Sequence, residues 1–272
     1  MESVTLCVVR IKADGTAPAA RPSSVTDTLD RDQIAQWRKD WDAVMAMFMP
    51  GLAGFEATLF AAAEAVGGSA PGRVLDLGGG PGILAERMLR RWPAAAVTLV
   101  DLDPVLLTVA RAGTPDEVTV VEADLATSAW PGAVDRRGSF DVVIAVMTVH
   151  YLHARQVAAL YRNARPMLAP GGILVVADVM PDGGIPSVMN AMGPVADEAA
   201  AELAWAQWWH EVAAVPAFEA MLRQREELFG SRPKAEPTPE MAWHLDAARA
   251  AGFAEVGVLW RCGGYAAFVA VA

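Results

Sequence analysis

The residues with the clearest chemical use form one short run at positions 76–82, between an apolar stretch and a helical pattern. Glycine permits positive φ angles and lets a ligand lie directly on the backbone. The unpaired N–H groups at the start of the following helix suit a carboxylate or a phosphate. The run therefore predicts a ligand-binding turn made of Asp76, Gly78, Gly79, Gly80, Pro81 and Gly82.

The spacing of these glycines restricts the ligand. A dinucleotide turn has the pattern G-x-G-x-x-G, and here Ile83 stands in place of the third glycine. The remaining pattern, G-x-G-x-G, does not favour a pyrophosphate. The residues that follow must therefore decide what binds.

Acidic residues after the next two apolar stretches extend the site. Asp101 is placed to accept both hydroxyls of a ribose, whereas Asp103, ahead of Pro104, is the expected helix N-cap. The reverse assignment is the alternative. Asp124 is placed to accept from an adenine amino group, with Leu125 against the ring, unless it is only a surface acid. These residues predict an adenosine-containing cofactor.

Motifs occur in a fixed order between residues 73 and 178: VLDLGGGPG, VDLDP, EADL, SFDVVIAVMTVHYL and LAPGGILVVAD. In this order they resemble the class I S-adenosylmethionine-dependent methyltransferases. The resemblance implies S-adenosylmethionine as cofactor and S-adenosylhomocysteine as product. It also implies that Asp76 and the glycines surround the methionine part, that Leu102 covers one adenine face, and that Ala145 borders the methyl group.

Two residues after the fourth apolar stretch are candidates for catalysis. His150 is expected to face the cleft, where it would act as a base or orient the acceptor. Packing and capping of the next helix is the alternative for His150. Tyr151 is the second candidate. A base is needed only where the acceptor must lose a proton.

The elements that hold these residues alternate between short apolar strands and helices. Strands without polar alternation, separated by helices, indicate a parallel sheet covered on both faces. The pair Gly263–Gly264 predicts a closing hairpin. The predicted fold is α/β: a Rossmann-like, seven-stranded, mostly parallel sheet with an antiparallel last strand, helical N-terminal segments and an inserted helical lid.

The chain of 272 residues divides by its patterns into five segments. They are a flexible leader (1–29), N-terminal cap helices (30–70), a cofactor-binding core (71–179), a helical lid (180–238) and a core completion (239–272). Trp205 and Trp209 share a helical face in the lid. That face is either core or a wall of an apolar acceptor pocket with Met147, His150 and Met180. Arg38 is a candidate partner for the cofactor's carboxylate.

The composition argues against several other classes. A net charge of −10 without a cluster of Lys and Arg does not suit nucleic acid or anionic membranes. No apolar run approaches the about 20 residues of a membrane span. Two distant cysteines favour a reducing cytoplasm over a disulfide scaffold. No metal is expected, because the stretch after the fourth strand carries no acid.

The sequence therefore predicts a cytoplasmic methyltransferase acting on O, N or C of a small, largely apolar metabolite. No nucleic-acid or membrane partner is expected, and the apolar N-terminal region leaves room for a homodimer. There are three alternatives. The fold would host a non-methylating reaction such as cyclisation or decarboxylation, or serve as a sensor or scaffold, or methylate tRNA or protein.

Overall fold

The computed structural model describes residues 29–134, 138–192, 197–230, 232 and 238–272. Residues 1–28 of the predicted leader lie outside these ranges. Within them, one seven-stranded sheet has the order β3-β2-β1-β4-β5-β7-β6. The strands are β1 (Arg73–Leu77), β2 (Ala96–Asp101), β3 (Val118–Glu122), β4 (Phe140–Val146), β5 (Leu168–Val179), β6 (Glu255–Cys262) and β7 (Tyr265–Val271).

The strand directions confirm the predicted fold. β1 pairs in parallel with β2 and β4, β2 with β3, and β4 with β5. β7 is antiparallel to both β5 and β6, so the last strand is the reversed one. β5 starts four residues earlier than its apolar core suggests, because Leu168 pairs with Phe140 ahead of a register shift.

Helices cover both faces of the sheet, and further helices lie in residues 180–238, the predicted lid. Before the sheet come α1 (Arg31–Phe48) and α2 (Leu52–Gly67). Between strands lie α3 (Ile83–Arg91), α4 (Pro104–Gly113), α5 (Trp130–Val134) and α6 (Ala154–Ala164). After β5 come α7 (Pro186–Met192), α8 (Glu198–Ala213), α9 (Glu219–Gly230) and α10 (Met241–Ala250).

No single helix of the described ranges has the length and apolar composition to cross a membrane. α1 and α2 together satisfy both requirements, but the pair is bent by 95°.

Three buried clusters hold these layers together. One lies between the sheet and α6 and α10, and a second lies between the sheet and α2 and α3. The third joins α1, α4 and α8 outside the sheet. In that cluster the indole N–H of Trp208 donates to the carbonyl of Trp37 at 2.8 Å. The lid helix α8 is therefore packed on the N-terminal helix rather than standing free.

The strand order places the ligand-binding edge. β1 lies between β2 and β4, so the chain leaves β1 in one direction across the sheet and β4 in the other. Open α/β sheets bind their ligands at this switch point, beyond the carboxyl ends of the strands. The turns after β1, β2 and β4 meet there.

A buried polar pair lies away from that edge, in the cluster under α6 and α10. The Tyr161 hydroxyl and His244 Nδ1 are 2.7 Å apart, and both residues are 0% exposed. Burial lowers the pKa of His244 to about 4, although the charge of Asp178 opposes this shift. His244 is therefore neutral at neutral pH, and protonating it would place a charge in the core.

This pair predicts a pH-dependent stability. Between the unfolded pKa of about 6.5 and the folded pKa of about 4, the unfolded chain binds more protons at this site, so stability falls as pH falls. The loss attributable to His244 is about 3 kcal/mol across that window. Urea unfolding of the wild type and His244→Gln at pH 7 and pH 4.5 measures it. The difference between the two proteins must shrink at the lower pH; a constant difference would contradict the assignment.

Candidate functional site

The glycine-rich turn after β1 has the backbone that its sequence predicts. Gly78, Gly80 and Gly82 have φ angles of 75°, 54° and 80°. A Cβ at Gly78 would stand 2.4 Å from the side chain of Thr148, which follows β4. Any larger residue at position 78 would therefore collide with that turn as well as strain the backbone. Gly82 ends the turn as the N-cap residue of α3.

Arg38 donates hydrogen bonds to two carbonyl groups of this turn. The buried side chain donates from Nε to the carbonyl of Pro81 at 3.0 Å and from Nη2 to that of Gly82 at 3.1 Å. Its Nη1 donates to the carbonyl of Gly113, and Nη2 pairs with Glu86 at 2.7 Å. The suggestion that Arg38 binds the cofactor's carboxylate is therefore not supported, because its donors are used by the turn.

Of the two acids at the end of β2 and just beyond it, Asp103 has the predicted capping role. Asp103 caps α4 and accepts from the N–H groups of Val105 and Leu106 at 2.9 and 3.3 Å. Asp101 Oδ2 accepts from the N–H of Gly80 at 2.8 Å and thereby ties the β2 turn to the glycine turn. Burial raises the pKa of Asp101 to about 6. Its ribose contact remains a prediction, with Leu102 beside it.

Asp76 has a carboxylate oxygen that needs a donor. The residue is 2% exposed, and Oδ2 makes no hydrogen bond within the described ranges. A Cβ at Gly79 would lie 2.7 Å from this oxygen, so the carboxylate lies directly under the turn. Burial, reinforced by the charge of Asp101, raises the pKa of Asp76 to about 7. An unpaired buried acceptor beneath a glycine turn fits a cofactor that carries a cationic group.

The raised pKa values of Asp76 and Asp101 predict that cofactor affinity depends on pH. The ammonium group of the ligand favours the ionised forms, so protonation of Asp76 below its raised pKa opposes binding. The dissociation constant of S-adenosylhomocysteine should fall about tenfold from pH 6 to pH 8. Isothermal titration measures this. Asp76→Asn should bind weakly with a flat pH dependence, and a steep dependence in that variant would assign the titration to another group.

The turn after β4 is organised by Asp178 at the end of β5. Asp178 is 0% exposed, and its Oδ2 accepts from the N–H groups of Thr148, Val149 and His150 at 2.9, 2.8 and 3.2 Å. Its Oδ1 lies 2.8 Å from Nδ1 of His150. Burial alone would raise the pKa of Asp178, but the His150 ring and the backbone N–H groups of Val179 and His150 hold it below its usual value. A buried, ionised carboxylate thus orients the imidazole.

The neighbours of His150 have distinct positions. The Tyr151 ring is tilted by 43° against the His150 ring, with centroids 4.1 Å apart, and Tyr151 is 56% exposed. Helix α6 is capped by His153, so capping by His150 is not the arrangement found. Met147 has φ 51°, and within the described ranges it is the only residue other than glycine with a positive φ. Such a backbone costs about 1–3 kcal/mol and is typical of functional sites.

Three residues predicted to line the acceptor pocket are packed in cores. Met180 is 0% exposed in the cluster under α6 and α10. Trp205 and Trp209 are 9% and 3% exposed in the cluster of α1, α4 and α8. The core alternative accounts for the two tryptophans, because their helical face is buried on α1. Ala145 is also 0% exposed, and its contact with the methyl group remains a prediction.

The lid is tied to the acids of the cofactor edge. Arg225 of α9 donates from Nε to Asp103 Oδ2 at 2.5 Å. Arg232 donates to Asp124 Oδ2 at 2.6 Å, while Asp124 Oδ1 accepts from the N–H of Ala126. The expected adenine contact of Asp124 remains a prediction and has to coexist with this ion pair. Leu125 packs on the core cluster nearby.

Sequence reasoning missed several residues of this site. Asp178 was not predicted as a site residue, yet it lies near the end of β5, the strand beside the one that leads to His150, and that adjacency was the available signal. Arg225 and Arg232 lie far along the chain from the acids they pair with, so no local pattern indicates them. Among the described residues, no cluster of three or more His, Cys, Asp or Glu could hold a metal.

Comparisons with known proteins agree with this geometry. Residues 74–172 match the methyltransferase domain family. Trans-aconitate 2-methyltransferase of Escherichia fergusonii is 32% identical over 125 residues, 46% of this chain and 45% of the relative. Malonyl-(acyl-carrier protein) O-methyltransferase of Geobacter sulfurreducens is 34% identical over 149 residues, 54% and 51%. The chain thus spans about half the length of these curated relatives.

Solved structures show the same fold at low identity. Human N-acetylserotonin methyltransferase in complex with S-adenosylmethionine has a TM-score of 0.51 and 16% identity, covering 91% of this chain and 62% of that one. The S-adenosylmethionine-dependent methyltransferase SibL has a TM-score of 0.51 and 20% identity, covering 90% and 71%.

The sheet order, the glycine turn and the domain match define one class of protein. The chain contains a class I S-adenosylmethionine-dependent methyltransferase domain, as its motifs predict, and S-adenosylmethionine is the cofactor of that class.

Proposed function

We propose that this protein transfers a methyl group from S-adenosylmethionine to O, N or C of a small, largely apolar metabolite. The single observation that carries the proposal is the His150–Asp178 pair, 2.8 Å apart, at the end of β4 beside the glycine turn. A relative that is named for trans-aconitate supports a small-molecule acceptor. The net charge of −10 supports an acceptor other than nucleic acid or a membrane.

The His150–Asp178 pair suits an acceptor that loses a proton. When bound, the cofactor supplies a methyl group activated by a sulfonium. An ionised Asp178 favours the imidazole tautomer in which Nδ1 of His150 carries the proton and donates to Oδ1. Nε2 is then left as the acceptor for a proton from the substrate.

Alignment and exclusion of water are the other requirements. Holding the acceptor in line with the methyl group can supply about 7–11 kcal/mol of the barrier. Dispersal of the sulfonium charge is favoured by an apolar surrounding. Met147 is half-buried and packs against both the second cluster and the third cluster, which joins α1, α4 and α8. It is therefore the apolar side chain best placed to border the acceptor. A homodimer and a cytoplasmic location stay predictions of the sequence.

Cofactor binding tests the first half of the proposal. Titration calorimetry with S-adenosylmethionine and S-adenosylhomocysteine should give one site per chain, because the glycine turn, Asp76 and Asp101 form a single cleft. Asp101→Ala should weaken both ligands at least about tenfold through loss of the ribose contact. A wild-type protein that binds neither ligand would overturn the proposal.

Transfer from a labelled methyl donor tests the second half on a panel of small hydroxyl, amine and activated-carbon acceptors. For the acceptor so identified, His150→Gln should lower kcat about 10²–10⁴-fold and leave S-adenosylhomocysteine affinity unchanged. The control is His210→Gln, an exposed position on α8 that should retain full activity. Loss of cofactor affinity in His150→Gln, or full activity, would show that His150 is not the base.

A further inference from the structure

Arg225, in the predicted lid, has a side chain that contacts Trp209 and Asp103. It lies on α9, and its guanidinium carbon stands 3.8 Å from the ring centroid of Trp209. Its Nε donates to Asp103 Oδ2 at 2.5 Å, and the arginine side chain is 19% exposed. Stacking on an indole and an ion pair to a buried acid fix the plane of the guanidinium.

The surroundings of Arg225 place it over the cofactor edge. Trp209 packs on Trp41, with centroids 6.4 Å apart, and a Cβ at Gly80 would lie 3.9 Å from the Trp41 indole. On the other side, Asp103 follows Asp101, which binds the N–H of Gly80. Two series of contacts therefore connect Arg225 with Gly80, one through the two tryptophans and the other through the two acids.

In the part of the chain that the structure describes, two nitrogens of the guanidinium have no hydrogen-bond partner. Within the described ranges, Nη1 and Nη2 of Arg225 donate no hydrogen bond, whereas Nε is used by Asp103. Two parallel N–H groups on a fixed plane match the two oxygens of a carboxylate. Arg38, also near the turn, is engaged by carbonyls and Glu86 and does not compete. Asp103 also accepts a hydrogen bond from the backbone at the start of α4, so its charge offsets that of Arg225 only in part.

We propose that Arg225 is a carboxylate-binding residue of the cleft, with Nη1 and Nη2 holding the two oxygens. The carboxylate comes from the methionine part of the cofactor or from the acceptor, and the chemistry at Arg225 is the same for both. This inference rests on the proposed function, since it requires S-adenosylmethionine in the cleft, and it adds the residue that neither the glycine turn nor Arg38 supplies.

Calorimetry with a matched ligand pair tests the cofactor as the source. Decarboxylated S-adenosylmethionine keeps the sulfonium and the ammonium but lacks the carboxylate. Arg225→Gln should weaken S-adenosylmethionine about tenfold or more and leave the decarboxylated ligand unchanged. Arg225→Lys keeps the charge without the planar pair of donors, so it should show an intermediate loss.

Labelled methyl transfer tests the acceptor as the source. The panel pairs each carboxylic acid with its primary amide, so that only the anionic group differs. If the acceptor carboxylate binds here, Arg225→Gln lowers kcat/KM about tenfold for the acids and not for the amides, with cofactor affinity unchanged.

The control lies on the same helix. Arg223 is exposed and pairs with Glu219, one helical turn away, so Arg223→Gln should match the wild type in both arms. Equal weakening of both cofactor ligands in Arg225→Gln would reduce Arg225 to a lid contact and overturn the inference. No change in either arm would overturn it too. Wild-type protein that binds neither ligand would end the proposed function, and this inference with it. Should Arg225→Gln fail to fold, Arg225→Lys decides.

Discussion

The rest of the cleft depends on one buried carboxylate, that of Asp178. An isolated charge with no solvent exposure would be prohibitively costly, and Asp178 is tolerated because four backbone N–H groups and the His150 ring surround it. These bonds fix the turn after β4. Because Thr148 in that turn fills the space beside Gly78, a residue on β5 also sets the shape of the cofactor turn after β1.

Charge is divided unevenly between the two sides of this cleft. The sheet edge contributes acids, Asp76, Asp101, Asp103 and Asp124, while arginines reach it from α1, from α9 and from a position just beyond the end of α9. Arg38 binds the back of the glycine turn, and Arg225 and Arg232 tie the lid to Asp103 and Asp124. Burial keeps two of the acids hard to ionise, since the pKa values of Asp76 and Asp101 are raised to about 7 and about 6. A cationic cofactor relieves that cost, so binding and ionisation favour each other.

Local patterns were sufficient wherever one element and its turn decide the outcome. The G-x-G-x-G turn, the cap at Asp103 and the closing hairpin were all predictable, because each depends on residues a few positions apart. The tryptophan face of α8 was ambiguous for the opposite reason. Trp205 and Trp209 have the same spacing whether they line a pocket or a core, and only the packing of α8 on α1 decides for the core. Arg38 is similar: its three carbonyl partners lie 43 to 75 residues away.

The sequence by itself determined the fold class, the cofactor edge and the place of His150, because apolar strands, glycine spacing and strand-end acids are local and periodic. Only the tertiary structure decided what those residues do to one another. The partner of His150 is Asp178, 28 positions away, and the partners of Asp103 and Asp124 are lid arginines more than 100 positions away. Such pairs form because folding brings separate turns to one edge of the sheet, and burial there leaves each charge dependent on its neighbours.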